Sequence, residues 1–348
     1  MFQSFLNIIL AILIFGALIL IHELGHFLFA RLFKVGINEF SIGMGPKIFS
    51  RRSKKSSIAY SIRALPIGGY VSMEGEDESS DNENAFCNKK IWQRFIITAA
   101  GPLMNIVLGF LCTVILVSST GYLTTTTVHS FYEEATSSTQ DGLLPGDTIT
   151  KVGGVYVFTG NDMYYEIMHQ GNKPIDITVE RDGKTVVLED VVFPTVKDEG
   201  TGIVFGRVDF FPIAEQLSFG GVIKHSFFRS VSTIKMIYDS IFDLFTGRFG
   251  ISAVSGPVQI TQTIGQAAST GFINVLYLIV VITINLGVFN LLPFPALDGG
   301  RIIFLLIELI IGRPINKKFE SYVNLAGIMI LFLIMILVTF KDVFSLIM

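Results

Sequence analysis

Charge is what this chain has too little of. Only 16% of its 348 residues are Asp, Glu, Lys or Arg, where a soluble domain carries about 25%. Half of the residues are hydrophobic and the mean hydropathy is +0.58. That balance excludes a wholly water-soluble protein and points to membrane spans with soluble material attached. The net charge of −3 leaves no basic footprint for nucleic acid, so no nucleic-acid partner is expected. Two cysteines, Cys87 and Cys112, make neither a disulfide framework nor a C-x-x-C site. No tandem repeat is present. The N-terminus also lacks a basic n-region and a small-x-small cleavage site before its first ionisable cluster. The first apolar run therefore reads as a retained helix, not a removed signal peptide.

What the chain does have is four long apolar stretches. Crossing a bilayer takes about 20 apolar residues as a helix. Candidates lie at roughly 4–30, 95–119, 271–292 and 321–340. The second carries no charge between Arg94 and Glu133, and the fourth none between Glu320 and Lys341. Basic residues set the orientation. Segment 31–94 holds 11 Lys/Arg and 301–320 holds four, whereas 120–215 holds six against 15 Asp/Glu. The positive-inside rule puts 31–94 and 301–320 in the cytoplasm, and both termini with 120–215 outside.

The predicted fold class is a multi-span α-helical membrane protein with about four spans, a small extracytoplasmic α+β domain and a membrane-associated β-hairpin. The layout is a first span over 1–30, a cytoplasmic loop over 31–94 and a second span over 95–120. The α+β domain follows over 125–211, then an amphipathic surface helix over 216–248. A third span covers 271–300, a cytoplasmic segment 301–320 and a fourth span 321–345. In the α+β domain, "ITVERDGKTVVL" (177–188) alternates around Asp182-Gly183, a hairpin signal. "TITKVGGVYV" and "GIVFGRVDFF" read as strands, and "NDMYYEIMHQ" (161–170) as a helix capped by Asn161 or Asp162. "AYSIRALPIGGYVSM" (59–73) reads as two short strands around Pro66-Ile67-Gly68-Gly69. The acidic run 74–84 reads as a solvated loop. His129, His169 and His225 are isolated and read as ordinary residues of the outer segments.

The chemistry-bearing stretch is "ILIHELGHFLFARLF", residues 19–33. On a helix, His22 and His26 stand at i, i+4 and project from one face, so they can grip one metal ion. Glu23 is placed to reach a water beside that metal without ligating it. H-E-x-x-H is the pattern of zinc hydrolases, with two ligands and a general base. The plainer reading is surface His and Glu. Inside a span that reading is costly, because an ionisable side chain there costs several kcal/mol unless paired or metal-bound. A catalytic zinc needs a third protein ligand and an open position. "NLGVFNLLPFPALDGGR" (285–301) offers one: Asp298 is the sole carboxylate between Arg248 and Arg301, and Pro293 and Pro295 must interrupt the helix. Asp298 is equally placed to N-cap a helix starting at Gly299.

HELGH in the first span, GPLMN (101–105) in the second and NLLPFPALDGG near the end of the third together resemble the site-2 protease family. Within it, the chain is similar to the bacterial regulator-of-sigma-E (RseP) type. The resemblance covers essentially the whole chain. It implies Zn2+ as cofactor, with His22, His26 and Asp298 as its ligands and Glu23 as general base or acid. It also implies substrate handling by Asn290, and substrate-binding roles for Asn285 and for Gly68 and Gly69 of the hairpin, which would dip into the membrane beside the zinc. A simple cytoplasmic hairpin near the headgroups is the plainer reading of 59–73. Segment 125–211 resembles a PDZ domain with Gly142–Asp147 as its glycine-containing loop. The chain has room for one such domain where well-studied relatives have two, so it resembles the single-PDZ branch.

The implied activity is zinc-dependent intramembrane proteolysis in the bacterial cytoplasmic membrane. Its expected partners are membrane lipid and single-span membrane proteins, such as anti-sigma factors or remnant signal peptides, already trimmed by another protease. Two rivals come from other classes. A non-catalytic PDZ-bearing adaptor has no use for Glu23. A metal transporter usually has more spans and repeated halves, and neither is found here.

Overall fold

The computed structural model describes residues 2–54, 57–76, 78–139, 142–199, 202–250 and 253–347, without the side chains of 2–4, 66–67 and 345–347. Asp77 of the acidic run, and the side chains of Pro66 and Ile67, thus lie outside the described set. The elements begin with α1 (Phe2–Leu32), β1 (Ile37–Arg52), β2 (Ala59–Met73), α2 (Ile91–Ser118), β3 (Tyr122–Phe131), β4 (Thr148–Val152) and β5 (Val155–Tyr156). They continue with α3 (Gly160–Gln170), β6 (Ile175–Arg181), β7 (Lys184–Val191), β8 (Thr195–Lys197), β9 (Val204–Gly206) and β10 (Phe210–Gln216). The last five are α4 (Phe219–Phe245), α5 (Pro257–Thr270), α6 (Phe272–Leu291), α7 (Asp298–Ile311) and α8 (Lys317–Ile347). The chain divides into two compact units, Met1–Gly109 with Ser255–Met348, and Phe110–Val254.

Among the described residues, four helices, α1, α2, α6 and α8, are long and apolar enough to cross a membrane. Their outward faces are apolar. On α8, Phe332, Leu333, Leu337 and Phe340 are more than half exposed, a surface that lipid satisfies and water does not.

Within the first unit, three features depart from the sequence pattern. The third span ends at Leu291, not at 300, because Pro293 and Pro295 cannot continue a helix. The Asp298-Gly299-Gly300 run instead opens a separate helix, α7, which fills much of the expected 301–320 segment. A further helix, α5, occupies residues to which the pattern assigned nothing. It starts with Pro257 at its first turn, where the missing N–H costs nothing. Asp342 of α8, only 2% exposed, accepts from Gly256 N (3.3 Å) and Gln259 N (3.0 Å) and so caps α5 from another helix. Asn7, the one strongly polar residue between Phe5 and Ile21, packs on Gly265 of α5.

The third departure concerns the hairpin. Residues 59–73 form β2, which folds over at Pro66–Gly69 into the two expected halves, but among the described residues these halves pair with β1 and not with each other. Its antiparallel partner is β1, and both are folded over. Glu39, Phe40, Ser41 and Ile42 oppose Ser72, Val71, Tyr70 and Gly69 on one side, and Ala59, Tyr60, Ser61 and Ile62 on the other. The rest of β1 returns along β2, with Ser50 opposite Ser61 and Arg52 opposite Ala59. The bend needs left-handed backbone, supplied by Gly43 and Gly45 (φ +83° each) and Gly68 (φ +85°). Among the described residues, Gly69–Met73 pairs on one side only, leaving an open edge.

In the second unit, one sheet runs in the order β10-β3-β4-β6-β7, with β5 beside β4 and a separate β8-β9 hairpin. Its core is Val128, Leu143, Ile149, Met163, Ile177 and Phe210 with their neighbours, all essentially buried. The strand β3 begins at Tyr122, ahead of the expected start at 125. Asp182 and Gly183 both take positive φ (52° and 71°), the geometry of the tight turn joining β6 to β7. Helix α3 is capped by Thr159, not by Asn161 or Asp162. Asp162 stands three residues on, and its carboxylate accepts from Thr159 N (3.1 Å) and Phe158 N (2.6 Å). His169 is not isolated. Its Nε2 lies 3.0 Å from Asp243 Oδ2 on α4, and Arg248 Nη2 donates to its carbonyl (2.5 Å).

Candidate metal centre

Helix α1 carries His22 and His26 one turn apart, so both rings reach the same spot. Their Nε2 atoms are 3.2 Å apart. Asp298, first residue of α7, meets them there: Oδ2 lies 3.1 Å from His22 Nε2 and Oδ1 lies 3.5 Å from His26 Nε2. All three ligand atoms fall within 4.8 Å of one another, the one such grouping among the described residues. Leu297, not Asp298, occupies the N-cap of α7. The Asp298 carboxylate is turned to the histidines and does not cap its helix.

The surroundings fix the rings in ligand geometry. His26 Nδ1 lies 2.8 Å from Ile97 O. Donating there leaves the Nε2 lone pair free for a cation, the usual arrangement of a metal-bound histidine. Gly101 makes room for the ring, because a Cβ at that position would collide with Nε2, Cε1 and Cδ2 of His26. Gly25 does the same for the backbone, since a Cβ there would strike the carbonyl of Ala100. The glycines of HELGH and GPLMN are thus two halves of one close approach between α1 and α2. Pro102 lacks an N–H, so the carbonyl of Thr98, one turn back, loses its helical donor. Two imidazole nitrogens and one carboxylate oxygen, with a position left open, are a donor set that fits catalytic zinc.

A cavity of about 300 Å³ opens on these ligands, and Glu23, Thr98, Tyr70 and Asn290 contribute to its wall. Glu23 accepts a backbone hydrogen bond from Val71 of β2. The open edge of β2 therefore runs beside the carboxylate expected to act as base. Gly69 lies in the same contact: a Cβ there would sit 3.3 Å from Glu23 Cγ and 2.9 Å from Ser41 O. Gly68 turns the strand and touches Met44, so its part is in shaping β2. Asn290 lines the cavity and donates from Nδ2 to Leu286 O (3.0 Å). Asn285 stands outside the cavity wall on α6, its Oδ1 buried without a hydrogen-bond partner.

Other residues of the site carry no motif. Tyr70 is held in a polar cluster with Arg63, whose Nη2 also pairs with Glu39 (3.0 Å). Burial works to raise the Glu39 carboxyl, but hydrogen bonds from Ser61, Lys47, Arg63 and Tyr70 outweigh it and hold it at about 2. Arg301, one turn after Asp298, lines the cavity and forms an ion pair with Glu76. Lys317 Nζ donates to the Glu76 carbonyl (3.2 Å). The acidic run is thus not merely solvated: Glu76 ties it to α7 and α8, and Glu74 accepts from Ser80 (3.1 Å) and Asn82 (2.8 Å). Acid-rich composition alone could not separate Glu76 from its neighbours.

Comparison with known proteins agrees with this geometry. The model of Peptidase family M50 matches residues 10–334. A Clostridium acetobutylicum protein, named as a candidate zinc metalloprotease, is 40% identical over 344 residues, covering 98% of each chain. The regulator of sigma-W protease RasP of Bacillus subtilis is 31% identical over 424 residues, covering 97% of this chain and 99% of its own. The zinc metalloprotease RasP of Bacillus licheniformis is 31% identical over 423 residues, covering 97% and 98%. With a family match over most of its length and relatives similar from end to end, this chain belongs to peptidase family M50, the site-2 metalloproteases, whose metal is zinc.

Proposed function

We propose that this protein cuts single-span membrane proteins within the bilayer, using zinc held by His22, His26 and Asp298. The observation that carries the reading is the meeting of those three side chains beside Glu23 and an open strand edge, with His22, Glu23 and His26 on a helix fit to cross a membrane. A peptide bond inside a helix is shielded by its own hydrogen bonds, so a protease must hold its substrate extended. The edge Gly69–Met73 supplies main-chain groups for that purpose once its Val71 and Met73 amides exchange Glu23 and Glu76 Oε2 (3.3 Å) for substrate, as in other strand-addition complexes. When bound, zinc acidifies water and polarises the scissile carbonyl. Glu23 takes the water proton and delivers it to the leaving nitrogen as the C–N bond breaks. Asn290 holds the substrate backbone or the developing oxyanion.

The acidic balance of 120–215 supports an extracytoplasmic position for the second unit, which we read as a PDZ-like domain that governs access and does no chemistry. The site then faces the cytoplasmic side of a bacterial cytoplasmic membrane. A relative named as a regulator of sigma-W protease supports a substrate in sigma-factor control, and we take this to be an anti-sigma factor already trimmed outside by another protease. Remnant signal peptides are the second substrate class.

Two variants test the assignment. Glu23→Gln keeps its zinc and loses about 10²–10⁴-fold in turnover, the usual worth of a positioned general base. Asp298→Asn loses zinc itself, because a neutral amide poorly replaces an anionic ligand on a dication. Elemental analysis beside cleavage of one membrane substrate reads both. Parent-rate cleavage by Glu23→Gln would overturn the assignment of Glu23, and absence of zinc and of cleavage in the parent protein would favour the adaptor instead. For orientation, single cysteines replacing Thr150 and Lys54 are labelled in intact cells, and labelling of position 54 by an impermeant reagent overturns the topology.

A further inference from the structure

His26 has an acceptor for its Nδ1 proton, the Ile97 carbonyl. His22 must have one too if its Nε2 is to be a lone-pair donor. The group beside His22 Nδ1 is the side-chain amide of Asn105, with Nδ2 at 3.4 Å. Asn105 is fully buried, and its Oδ1 has no hydrogen-bond partner. Its backbone is engaged separately, the carbonyl accepting from Thr283 Oγ1 at 3.1 Å. A carboxamide can turn either end to a neighbour. With Nδ2 toward the ring, His22 carries its proton on Nε2, aimed at His26 and Asp298, and a buried acceptor is left unmatched. With Oδ1 toward the ring, Nδ1–H donates to it, the orphaned oxygen is satisfied, and Nε2 turns its lone pair to the site.

We infer that Asn105 is the positioning residue of His22: its amide oxygen accepts the Nδ1 proton and fixes the ring in the metal-binding tautomer. The inference rests on the zinc reading above. It also gives one face of α2 a single task. Ile97, Gly101 and Asn105 stand at i, i+4 and i+8, and they supply the acceptor for His26, the space for its ring and the acceptor for His22.

The test uses the full chain in detergent, with zinc affinity measured by competition against a chelator and thermal midpoints measured with and without zinc. Asn105→Leu keeps the volume and removes the acceptor. It weakens zinc about 10–100-fold, the usual cost of losing an outer-shell partner. Its zinc-free midpoint falls modestly, since the buried His22 Nδ1–H loses its acceptor, so the loss of zinc affinity is read from the chelator competition. Asn105→Asp keeps the acceptor oxygen, adds a second and drops both donors, and it binds zinc at least as tightly as the parent. Unchanged zinc affinity in Asn105→Leu overturns the inference, as does weak binding by Asn105→Asp, which would mean that Asn105 acts as a donor. Should Asn105→Leu fail to fold, Asn105→Asp against the parent still decides between acceptor and donor. Failure of the parent itself to hold zinc would instead overturn the metal reading.

Discussion

Replacing Gly101 with alanine sets helix propensity against ligand geometry, and the two make opposite forecasts. In a helix interior alanine is favoured over glycine by about 0.8–1 kcal/mol. On that basis alone Gly101→Ala stabilises α2. The new Cβ, however, would lie 2.6 Å from Cε1 and 2.8 Å from Cδ2 of His26, and closer still to Nε2. Carbon atoms rest about 3.5–4.0 Å apart, so the ring must withdraw by about 1 Å. It is not free to do so while Nδ1 holds Ile97 O at 2.8 Å in a buried site. Metal–ligand distances tolerate about 0.2 Å, so the shift removes one of three ligands. Zinc affinity then falls by about 100-fold or more, beyond the usual loss of an outer-shell partner. The zinc-free thermal midpoint falls slightly, because overpacking costs about 1–3 kcal/mol and the propensity gain offsets only part of it, while the increment on adding zinc shrinks. Chelator competition and paired melting curves read both quantities. Full zinc at parental affinity would refute the reasoning, because His26 Nε2 could not then be a ligand. Gly25→Ala is the contrast. Its Cβ would meet backbone, the Ala100 carbonyl, so α1 and α2 are forced apart and the zinc-free midpoint falls further than in Gly101→Ala.

Arg94 and Glu308 form a buried two-pronged pair, Nη1–Oε2 3.1 Å and Nη2–Oε1 2.5 Å, with side chains 8% and 12% exposed. Truncating either alone leaves a buried charge and costs about 3–5 kcal/mol, whereas Arg94→Met with Glu308→Leu together recovers most of that loss; thermal midpoints of the three variants check it. In the second unit, Tyr165 donates to Asp239 Oδ2 (2.6 Å) and Lys235 pairs with the same atom (2.7 Å), joining α3 to α4. Tyr165→Phe therefore costs about 1.5–3 kcal/mol, the range for a hydrogen bond to a charged group, less what solvent screening removes. Burial works to raise Asp239 and to lower Lys235, but their mutual hydrogen bonds win, so Asp239 is depressed and Lys235 raised. The Asp239 contribution is complete above about pH 4 and lost as pH falls through its folded value, and that of Lys235 is complete below about pH 10 and lost above. The Tyr165→Phe loss is thus flat from about pH 5 to 9, and a strong slope there would contradict it. Deleting 126–205 behind a short linker leaves zinc binding intact and relaxes discrimination against untrimmed substrates, read by zinc content and by cleavage of cut and uncut forms.

Local spacing settles whatever one element can settle. An i, i+4 pair shares a helix face whatever surrounds it, so HELGH already puts two imidazoles side by side. Apolar length marks helices fit to cross a membrane, because a buried backbone must satisfy its own hydrogen bonds. Asp182-Gly183 marks its turn, because few residues accept positive φ. Two prolines end α6, because neither can donate to the preceding turn.

What the sequence could not decide is which elements meet. Asp298 fits a cap and a ligand equally well on paper, and only the approach of α7 to α1 aims it at the histidines. The 59–73 segment turns at its centre as its residues suggest, but its two halves pair with β1, which lies between them, and not with each other among the described residues. Helix α5 is capped by Asp342, far along the chain, a pairing no local pattern carries. Glu76 is one of six acids in a polar run until Arg301 selects it. Gly101 and Asn105 look like two residues of an apolar helix, and their tasks exist only because His26 and His22 arrive against them. Periodicity encodes which way a side chain points along its own element. The partner it finds there depends on close packing between elements distant in sequence, and that is decided only when the whole core assembles.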